Sequence, residues 1–513
     1  MGNPPVLAIL NNNVRARAIF VENAQQAAKI ASIRSECPTL EHVITLDPSG
    51  KFPEGTLTLE DVIARADIEP ANRLTWRETI GSIEREHLAT VIHTSGTTGN
   101  PKGAMLSHGN LLFNYEAANQ VVDFYETDVF LSFLPLSHIY GRIVDEVVAL
   151  GRGAAVVYAE ALLERLPANM VEVKPTVMGS VPRLYERVYA RVSSAVEAGS
   201  PTKQKIFRWA SRLGAQKYAN HLAGKGDSPW LKAQLKVADL LVFKKIRERT
   251  GGRVRYFVSG SAPLAREIGE FFYGMGMLVL EGYGLTETSP FVSINRPDDF
   301  VFGTVGRAAP GSEVMIDAMT GEILGRGPQV MQGYLNQPDE TRKAIDADGW
   351  FHTGDIGELD EIGRIKITDR LKNIIVLGNG KNVSPAPIEA ALSTSRYVAQ
   401  AVVLGDRQAY TGALIAPDFD ELGAWAAVNG LAEMPPEQLV EEKAVQKLFD
   451  AEVKRTLEGF AVFERPRRVA LLPRLLSEEA GELTPSLKTK NRVVLTNWAD
   501  RIAYLFDEKS AKD

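Results

Sequence analysis

The most informative segment of the sequence is TSGTTGNPKG, from Thr94 to Gly103. It follows an apolar run, Thr90 to His93, that predicts a β-strand, and it precedes a predicted helix, Asn110 to Ala118. Its glycines allow tight turns and close backbone approach to a ligand. Its hydroxyls and backbone N–H groups suit phosphate oxygens, and its lysine adds a point charge. A phosphate-binding loop is predicted rather than a surface turn, with the candidate residues Thr94, Ser95, Gly96, Thr97, Thr98, Gly99 and Lys102.

Short apolar runs alternate with helical stretches on both sides of this loop. Such alternation predicts a largely parallel sheet with helices on both faces. Within this part, Ser261 is predicted to cap a helix from Leu264 to Tyr273, which Gly274 ends. The predicted strands are Ala18 to Val21, His42 to Leu46, Val129 to Leu134, Ala154 to Tyr158, Thr176 to Val181, Arg253 to Val258, and one starting at Leu278.

The pattern changes after about Gly303, where glycines become frequent and the apolar runs become shorter. Asp360 to Gly363 predicts a hairpin turn in a β-rich subdomain. After Arg370 the chain predicts a small α+β unit that begins with a hairpin and a helix from Pro385. The predicted domains are therefore a large α/β domain, 1–369, and a small C-terminal domain, 370–513.

Composition narrows the class of protein. The chain has 513 residues, 45% of them hydrophobic and 24% charged, and a net charge of −6. These values exclude a disordered chain, a collagen-like fibre and a disulfide scaffold. The single cysteine, Cys37, cannot form an internal disulfide, and no stretch of about 18 residues is apolar enough to span a membrane. The start of the chain is a poor signal peptide, so we expect a cytoplasmic protein.

Four ordered motifs carry a family resemblance. TSGTTGNPKG resembles the phosphate loop of the adenylate-forming superfamily, which includes acyl-CoA synthetases, luciferases and peptide-synthetase adenylation domains. The resemblance implies this family's fold, with a large N-terminal domain and a small, mobile C-terminal domain. The other three motifs are EGYGLTET (281–288), DGWFHTGDIG (348–357) and DRLKN (369–373), whose Asp369 would be the hinge.

Further stretches resemble bacterial long-chain fatty acyl-CoA synthetases: LPLSHIYGR (134–142), GSVPRLYE (179–186) and GELTPSLK (481–488), together with the run from Gly349 to Asn373. The resemblance implies two half-reactions. A fatty carboxylate attacks the α-phosphate of ATP, which gives acyl-adenylate and pyrophosphate. The thiolate of coenzyme A then displaces AMP. The cofactors and co-substrates implied are ATP, Mg²⁺ and coenzyme A, and no nucleic-acid partner is predicted.

The resemblance also assigns roles to individual residues. Lys488, Thr286 and Glu287 would act in catalysis, with Glu287 and Thr94 as Mg²⁺ ligands. Tyr283 would stack on adenine, Asp355 would accept from the ribose hydroxyls, and Arg370 would reach ribose or phosphate oxygens. Gly380 would border the coenzyme A channel, and His138 would lie near the carboxylate entrance. The remaining nucleotide-site candidates are Gly260, Ser261, Ala262, Glu281, Gly282 and Lys372.

Some of these assignments leave alternatives open. In many family members the essential lysine follows a glycine, whereas here Leu487 precedes Lys488, and Lys490 lies two residues on. His138 is equally suited to packing. No histidine or cysteine cluster has the spacing of a zinc or iron site, so neither metal is predicted.

The segment from Arg183 to Arg255 is strongly basic, with 17 Lys or Arg against 5 Asp or Glu. It predicts either a solvated helical face or an attraction to phosphates or to an anionic membrane, with the protein bound peripherally. Trp209 and Trp230 within it suit a membrane interface, a fatty-acid tunnel or simple packing, and packing is favoured.

Three functions follow from these observations. The first is a long-chain fatty acid–CoA ligase. The second is a ligase that passes its acyl-adenylate to a carrier protein. The third is a non-catalytic nucleotide- or fatty-acid-binding remnant, because the phosphate loop starts at Thr94, earlier than is usual in the family. We expect the opening elements of the large domain to be absent. The first function is favoured because the motif residues are intact.

Overall fold

The computed structural model describes residues 4–65, 70–94, 101–160, 165–371, 373–432, 434–484 and 489–507. The chain divides into two compact units. The first comprises Met1–Phe113 and Val330–Gly349, and the second comprises Asn114–Gln329 and Trp350–Asp513. The predicted α/β class is confirmed, since both units combine helices with sheets.

The first unit contains two small three-stranded sheets. One is parallel, with strands Ala18–Val21, His42–Thr45 and Thr56–Thr58. The other is antiparallel, with Lys102–Ser107 between Leu88–Thr94 and Gly333–Tyr334. The phosphate-loop stretch therefore connects two antiparallel strands, and its last two residues begin the second strand. The helices of this unit are Pro4–Val14, Ala24–Ser32, Leu59–Ala64, Pro70–Gly81 and Pro338–Ala344, and the helix His108–Val121 starts in this unit and ends in the second.

A seven-stranded sheet is the centre of the second unit. Its strand order is Arg307–Ala308, Phe291–Ile294, Leu278–Gly284, Tyr256–Ser259, Val177–Ser180, Val129–Ser132 and Ala155–Tyr158. The last five strands in this order are parallel, as predicted, and the first two are antiparallel additions at the edge. A core of aliphatic and aromatic side chains packs against the sheet, with Tyr185 in edge-to-face contact with Phe257 and Phe272.

Helices flank this sheet, and one of them begins later than predicted. The helix after strand Tyr256–Ser259 runs over Arg266–Gly274, with Ala265 before it and no side-chain cap. Ser261 instead has a φ of 74° in the preceding loop, so its predicted role as the helix cap is wrong. The other helices of this part are Leu166–Val173, Pro182–Glu197, Pro201–Leu222, Pro229–Ala238 and Lys244–Glu248, with shorter turns at Ile139–Gly141 and Ala149–Gly151 and π-helical segments at Arg142–Val148 and Asp239–Phe243.

The second unit also contains the β-rich part and the C-terminal part of the chain. A four-stranded antiparallel sheet has the order Glu313–Ile316, Glu322–Arg326, Phe351–Leu359 and Ile365–Arg370. A hairpin follows, Ile375–Val376 with Asn382–Val383. The last sheet contains Val398–Leu404, Gly412–Pro417 and Arg468–Leu471. The helices here are Pro385–Leu392, Phe419–Val428, Pro436–Leu439, Lys443–Thr456, Asn491–Asn497 and Ala499–Phe506.

None of the helices within the described ranges combines the length and the apolar character needed to cross a membrane.

Candidate functional site

Strand Leu278–Gly284 carries the aromatic candidate for adenine binding. Tyr283 is buried, and its hydroxyl donates to Oδ2 of Asp355 at 2.7 Å. Burial is the main cause that raises the pKa of Tyr283, and the nearby carboxylate raises it further. The two residues are 72 positions apart in sequence. Tyr283 belongs to the seven-stranded sheet and Asp355 to the four-stranded sheet, so these two sheets of the second unit meet at this hydrogen bond.

Arg370 completes this cluster from the neighbouring strand. Asp355 and Arg370 are cross-strand partners in the pair Phe351–Leu359 and Ile365–Arg370. The Arg370 Nε lies 2.8 Å from Oδ1 of Asp355, and the arginine side chain is 48% exposed whereas the aspartate is buried. The structure therefore brings together Tyr283, Asp355 and Arg370, three residues predicted from separate motifs. We call them the Asp355 cluster.

Glu281 lies on the same strand but in a different environment. It is fully buried, and its carboxylate accepts from the backbone N–H groups of Gly303 at 3.2 Å and Leu264 at 3.4 Å. Burial raises the pKa of Glu281 to about 7. Its observed partners are backbone groups of two loops, so the geometry gives it a positioning role beside the nucleotide candidates.

The loop from Gly260 to Ala262 follows strand Tyr256–Ser259 and lies against Tyr140. A Cβ on Gly260 would lie 3.2 Å from the Tyr140 ring, so this position leaves little room for a side chain. The Tyr140 hydroxyl lies 2.7 Å from the Val258 carbonyl and 3.0 Å from the Ser180 carbonyl. Tyr140 thus links the ends of the strands Val177–Ser180 and Tyr256–Ser259 just before this loop, a role that sequence reasoning missed although the residue lies inside the quoted LPLSHIYGR stretch.

His138 and Thr286 begin short helical turns. The Nδ1 of His138 accepts from the backbone N–H of Tyr140 at 3.3 Å, which caps the turn Ile139–Gly141. Thr286 is buried at the start of the 3₁₀ turn Thr286–Thr288, and Glu287 is half-buried within it. Capping accounts for the position of His138, and its predicted role at the carboxylate entrance stays a prediction.

In the first unit, Lys102 has a defined set of partners. Its ammonium group forms an ion pair with Glu340 and lies 5.0 Å from the centre of the Tyr334 ring. Hydrogen bonds to Lys102 and Lys343 lower the pKa of Glu340 to about 2. The hydroxyl of Thr94 lies 3.5 Å from the Lys102 carbonyl. Ser95, Gly96, Thr97, Thr98 and Gly99 lie outside the described residues.

Lys372 and Lys488 also lie outside the described residues. The two ends of the segment that contains Lys488 are nevertheless held together. Leu483 and Thr489 form an antiparallel bridge, and the Lys490 N–H donates to the Glu482 carbonyl at 2.8 Å.

Glu482 is the buried centre of this junction. Its carboxylate accepts from Arg474 at 2.7 and 2.8 Å and from the Trp498 indole at 3.0 Å. Sequence reasoning missed Glu482 as a positioning residue. The signal was available, because Glu482 is the acidic residue inside GELTPSLK.

The two remaining candidates are a loop glycine and a metal site. Gly380 has a φ of 79°, and nothing lies within 4 Å of the place where its Cβ would be, so this turn is open on the outside. Glu287 and Thr94 each carry an oxygen of the kind that Mg²⁺ prefers, and their predicted role as its ligands stays a prediction. Across the described ranges, no group of three or more His, Cys, Asp or Glu side chains is placed to hold a metal ion.

The fold matches several solved structures. The adenylation domain of a carboxylate reductase from Mycobacterium chelonae superposes with a TM-score of 0.75 at 22% identity, over 98% of this chain and 75% of that chain. ATP-bound MatB from Rhodopseudomonas palustris superposes with a TM-score of 0.66 at 25% identity, over 97% and 82%. The fold is therefore that of the adenylate-forming enzymes, with a large N-terminal and a small C-terminal domain.

Sequence comparison identifies the family. The family model of the AMP-binding enzymes matches residues 4–335, and the model of their C-terminal domain matches residues 372–448. The chain belongs to the AMP-binding enzyme family. A long-chain-fatty-acid–CoA ligase of Mycobacterium tuberculosis is 36% identical over 96% of this chain and 80% of its own length. The peroxisomal long chain acyl-CoA synthetase 7 of Arabidopsis thaliana is 35% identical over 83% of this chain and 62% of its own length.

Proposed function

We propose that this protein is a long-chain fatty acid–CoA ligase that uses ATP. The observation that carries the proposal is the Asp355 cluster, in which an aromatic ring, a buried carboxylate and a half-exposed guanidinium meet. This combination suits the adenosine part of ATP. Relatives named long-chain fatty acid–CoA ligases, 36% identical over most of the chain, support the choice of fatty acid and coenzyme A as the other substrates.

In the proposed complex, Asp355 accepts from the ribose hydroxyls. A carboxylate has about four acceptor positions, and Tyr283 and Arg370 use two of them. The remaining two match the two adjacent hydroxyls of a ribose. The exposed part of Arg370 is free to donate to ribose or phosphate oxygens. The buried Tyr283 ring offers a face to adenine beside Gly260, Ser261 and Ala262.

The attack of one anion on another requires positive charge and hydrogen-bond donors. Lys102 and the loop from Thr94 to Gly99 would bind the phosphates, and Thr286 would bind the α-phosphate. Glu287 and Thr94 would hold Mg²⁺, which would neutralise phosphate charge. Lys488 would stabilise the charge that develops on the pentavalent phosphorus, and Glu281 would keep the adenine-side loops in place.

The second half-reaction would use the C-terminal domain, which we place at 370–513. Asp369 is buried at the end of the strand Ile365–Arg370, a position suited to a hinge because a rotation must be absorbed by few backbone angles. Gly380, in an open turn, and Lys372 would border coenzyme A. His138 would lie at the entrance for the fatty carboxylate.

The test is AMP release by the purified chain with ATP, Mg²⁺ and palmitate, with and without coenzyme A. We expect release that requires both palmitate and coenzyme A. Lys488→Ala should abolish it, whereas the control Lys490→Ala should keep most of it, because only the former lysine is proposed to act on phosphorus. Pyrophosphate exchange without thioester formation would instead indicate that a carrier protein is the acceptor. Folded, ATP-binding protein that releases no AMP would contradict the proposal.

A further inference from the structure

The helix Pro229–Ala238 and the π-helical segment Asp239–Phe243 that continues it present large apolar side chains to solvent. Trp230 is 73% exposed, Val237 50%, Leu240 67% and Leu241 45%. We call these four residues the outer face. A tryptophan and two leucines this exposed on one helical segment are unusual for a surface that meets only water.

The opposite side of the same segment is already apolar and buried. Leu231, Ala238 and Phe243 belong to the core that packs against the seven-stranded sheet. A helix on a protein surface needs only one apolar stripe, and a helix that is apolar all round is expected to be covered on every side. Folding therefore explains the inner side of this segment and leaves the outer face without a role.

Four lysines lie on the same helical segment or directly after it. Lys232, Lys236, Lys244 and Lys245 are all exposed, and none of them takes part in an ion pair found among the described residues. The acidic residue within 228–245 is Asp239, which is neutralised by Arg247 at 2.5 Å. The segment thus combines exposed apolar side chains with four exposed lysines that form no ion pair among the described residues.

We propose that the outer face and its lysines form a docking surface for an anionic lipid bilayer. Tryptophan and leucine enter the boundary between head groups and acyl chains, and the lysines of the same segment meet anionic head groups. A second copy of the chain fits less well, because a self-complementary contact would bring two sets of lysines together. The proposal does not rest on the ligase reaction, so failure of one leaves the other standing.

The experiment is co-sedimentation of the full chain with vesicles of phosphatidylcholine alone or with about one third phosphatidylglycerol. We expect binding to the anionic vesicles that weakens when salt is raised, because exposed charges are screened. The variant Trp230→Ser/Leu240→Ser/Leu241→Ser should lower the partition coefficient at least about tenfold. The charge variant with Gln at Lys232, Lys236, Lys244 and Lys245 should remove the preference for anionic lipid.

A matched control substitutes exposed apolar residues elsewhere. Val428 and Val462 are each 83% exposed, and Val428→Ser/Val462→Ser should bind vesicles like the wild type. A second readout is quenching by brominated lipids, which should be weaker in Trp230→Phe than in the wild type. The proposal is overturned if vesicles do not bind, if the control weakens binding equally, or if the outer-face variant instead converts a dimer in solution to a monomer.

Discussion

Two buried carboxyl groups lie on or beside the strand Leu278–Gly284, and their surroundings differ. At the end of the strand, Tyr283 meets Asp355, whose charge is balanced by Arg370 at 2.8 Å. In the middle of the strand, Glu281 accepts from the backbone N–H groups of Leu264 and Gly303, and burial raises its pKa to about 7. One acid is compensated by a cation, and the other is held by backbone donors.

The difference separates a binding role from a positioning role. A carboxylate that is paired with a half-exposed guanidinium keeps acceptor positions for a polar ligand. A buried carboxyl group that accepts from the backbone N–H groups of Gly303 and Leu264 orients the two loops that contain these residues. We therefore expect substitutions in the Asp355 cluster to change ATP binding, and substitutions of Glu281 to change stability as a function of pH.

The largest effect is expected for Asp355→Ala. It removes the proposed acceptor of both ribose hydroxyls, and hydrogen bonds to a charged group contribute about 1.5–3 kcal/mol each. We expect kcat/KM for ATP to fall by about a hundredfold or more, as measured by AMP release.

A control for this substitution is Asp299→Ala. Asp299 also pairs with an arginine, Arg364 at 2.6 Å, but lies outside the Asp355 cluster. The variant Asp299→Ala should be less stable than the wild type and should have the same KM for ATP. Equal changes in KM for both variants would mean that Asp355 acts only on the fold.

The second effect is the pH dependence expected for Glu281→Gln. In the folded protein the pKa of Glu281 is about 7, above the ordinary carboxyl value. At a pH between these two pKa values, the folded state therefore binds more protons than the unfolded state. The stabilisation from this proton is full below the ordinary carboxyl pKa and is lost as the pH rises through about 7. Relative to the variant, the wild type should lose up to about 3 kcal/mol between pH 5 and pH 8 in urea unfolding.

A second buried acid serves as the control for this prediction. Burial raises the pKa of Glu389 to about 7 as well, and its carboxylate accepts from the Val403 N–H at 2.8 Å. Glu389→Gln should show the same trend in stability. Only Glu281→Gln should also alter the KM for ATP, because Glu281 contacts the loops of the nucleotide candidates. If the difference in unfolding free energy between the wild type and Glu281→Gln did not change with pH, the predicted binding of a proton by Glu281 would be contradicted.

A smaller effect is expected for Tyr283→Phe. The ring remains for adenine, and the hydrogen bond to Asp355 at 2.7 Å is lost. A hydrogen bond to a charged group predicts a rise in the KM for ATP of about tenfold. Tyr218→Phe is a suitable comparison, since that buried hydroxyl accepts from the Phe302 N–H at 2.9 Å, outside the Asp355 cluster. An unchanged KM for ATP in Tyr283→Phe would show that the Tyr283 hydroxyl has no part in ATP binding.

Much of the fold could be predicted from the sequence. The apolar runs in 129–180 and the strand at 278 predicted the parallel sheet because parallel strands are buried on both faces and therefore contain continuous apolar residues. The strand Lys102–Ser107 was missed because Lys102 and Gly103 were assigned wholly to the loop. The cap at Ser261 was wrong because its left-handed backbone, with a φ of 74°, belongs to the loop before the helix.

The sequence motifs named the candidate residues of the site, but they did not predict which of these residues contact one another. Tyr283, Asp355 and Arg370 come from three motifs, and only the folded chain shows that one carboxylate joins them. Glu340 as the partner of Lys102 is 238 positions away from it in sequence, and no local pattern predicts such a pair. That these residues and the other candidates bind ATP, Mg²⁺ or coenzyme A stays a prediction.

The smallest effect is expected where a charge is compensated near the surface. Glu340→Gln removes one partner of Lys102, yet both side chains are about a third exposed and the Tyr334 ring remains beneath the ammonium group. Partly exposed ion pairs contribute little, so the KM for ATP should change by no more than about threefold. The pKa of Glu340 is lowered to about 2, so the ratio of the KM values for ATP of Glu340→Gln and the wild type should be the same at pH 5 and pH 8. Lys343→Gln, which removes the other cation beside Glu340, is the control and should have no effect on the KM. A decrease in KM of about tenfold or more in Glu340→Gln would instead show that Glu340 competes with phosphate for Lys102, and this surface pair would then be part of the binding site.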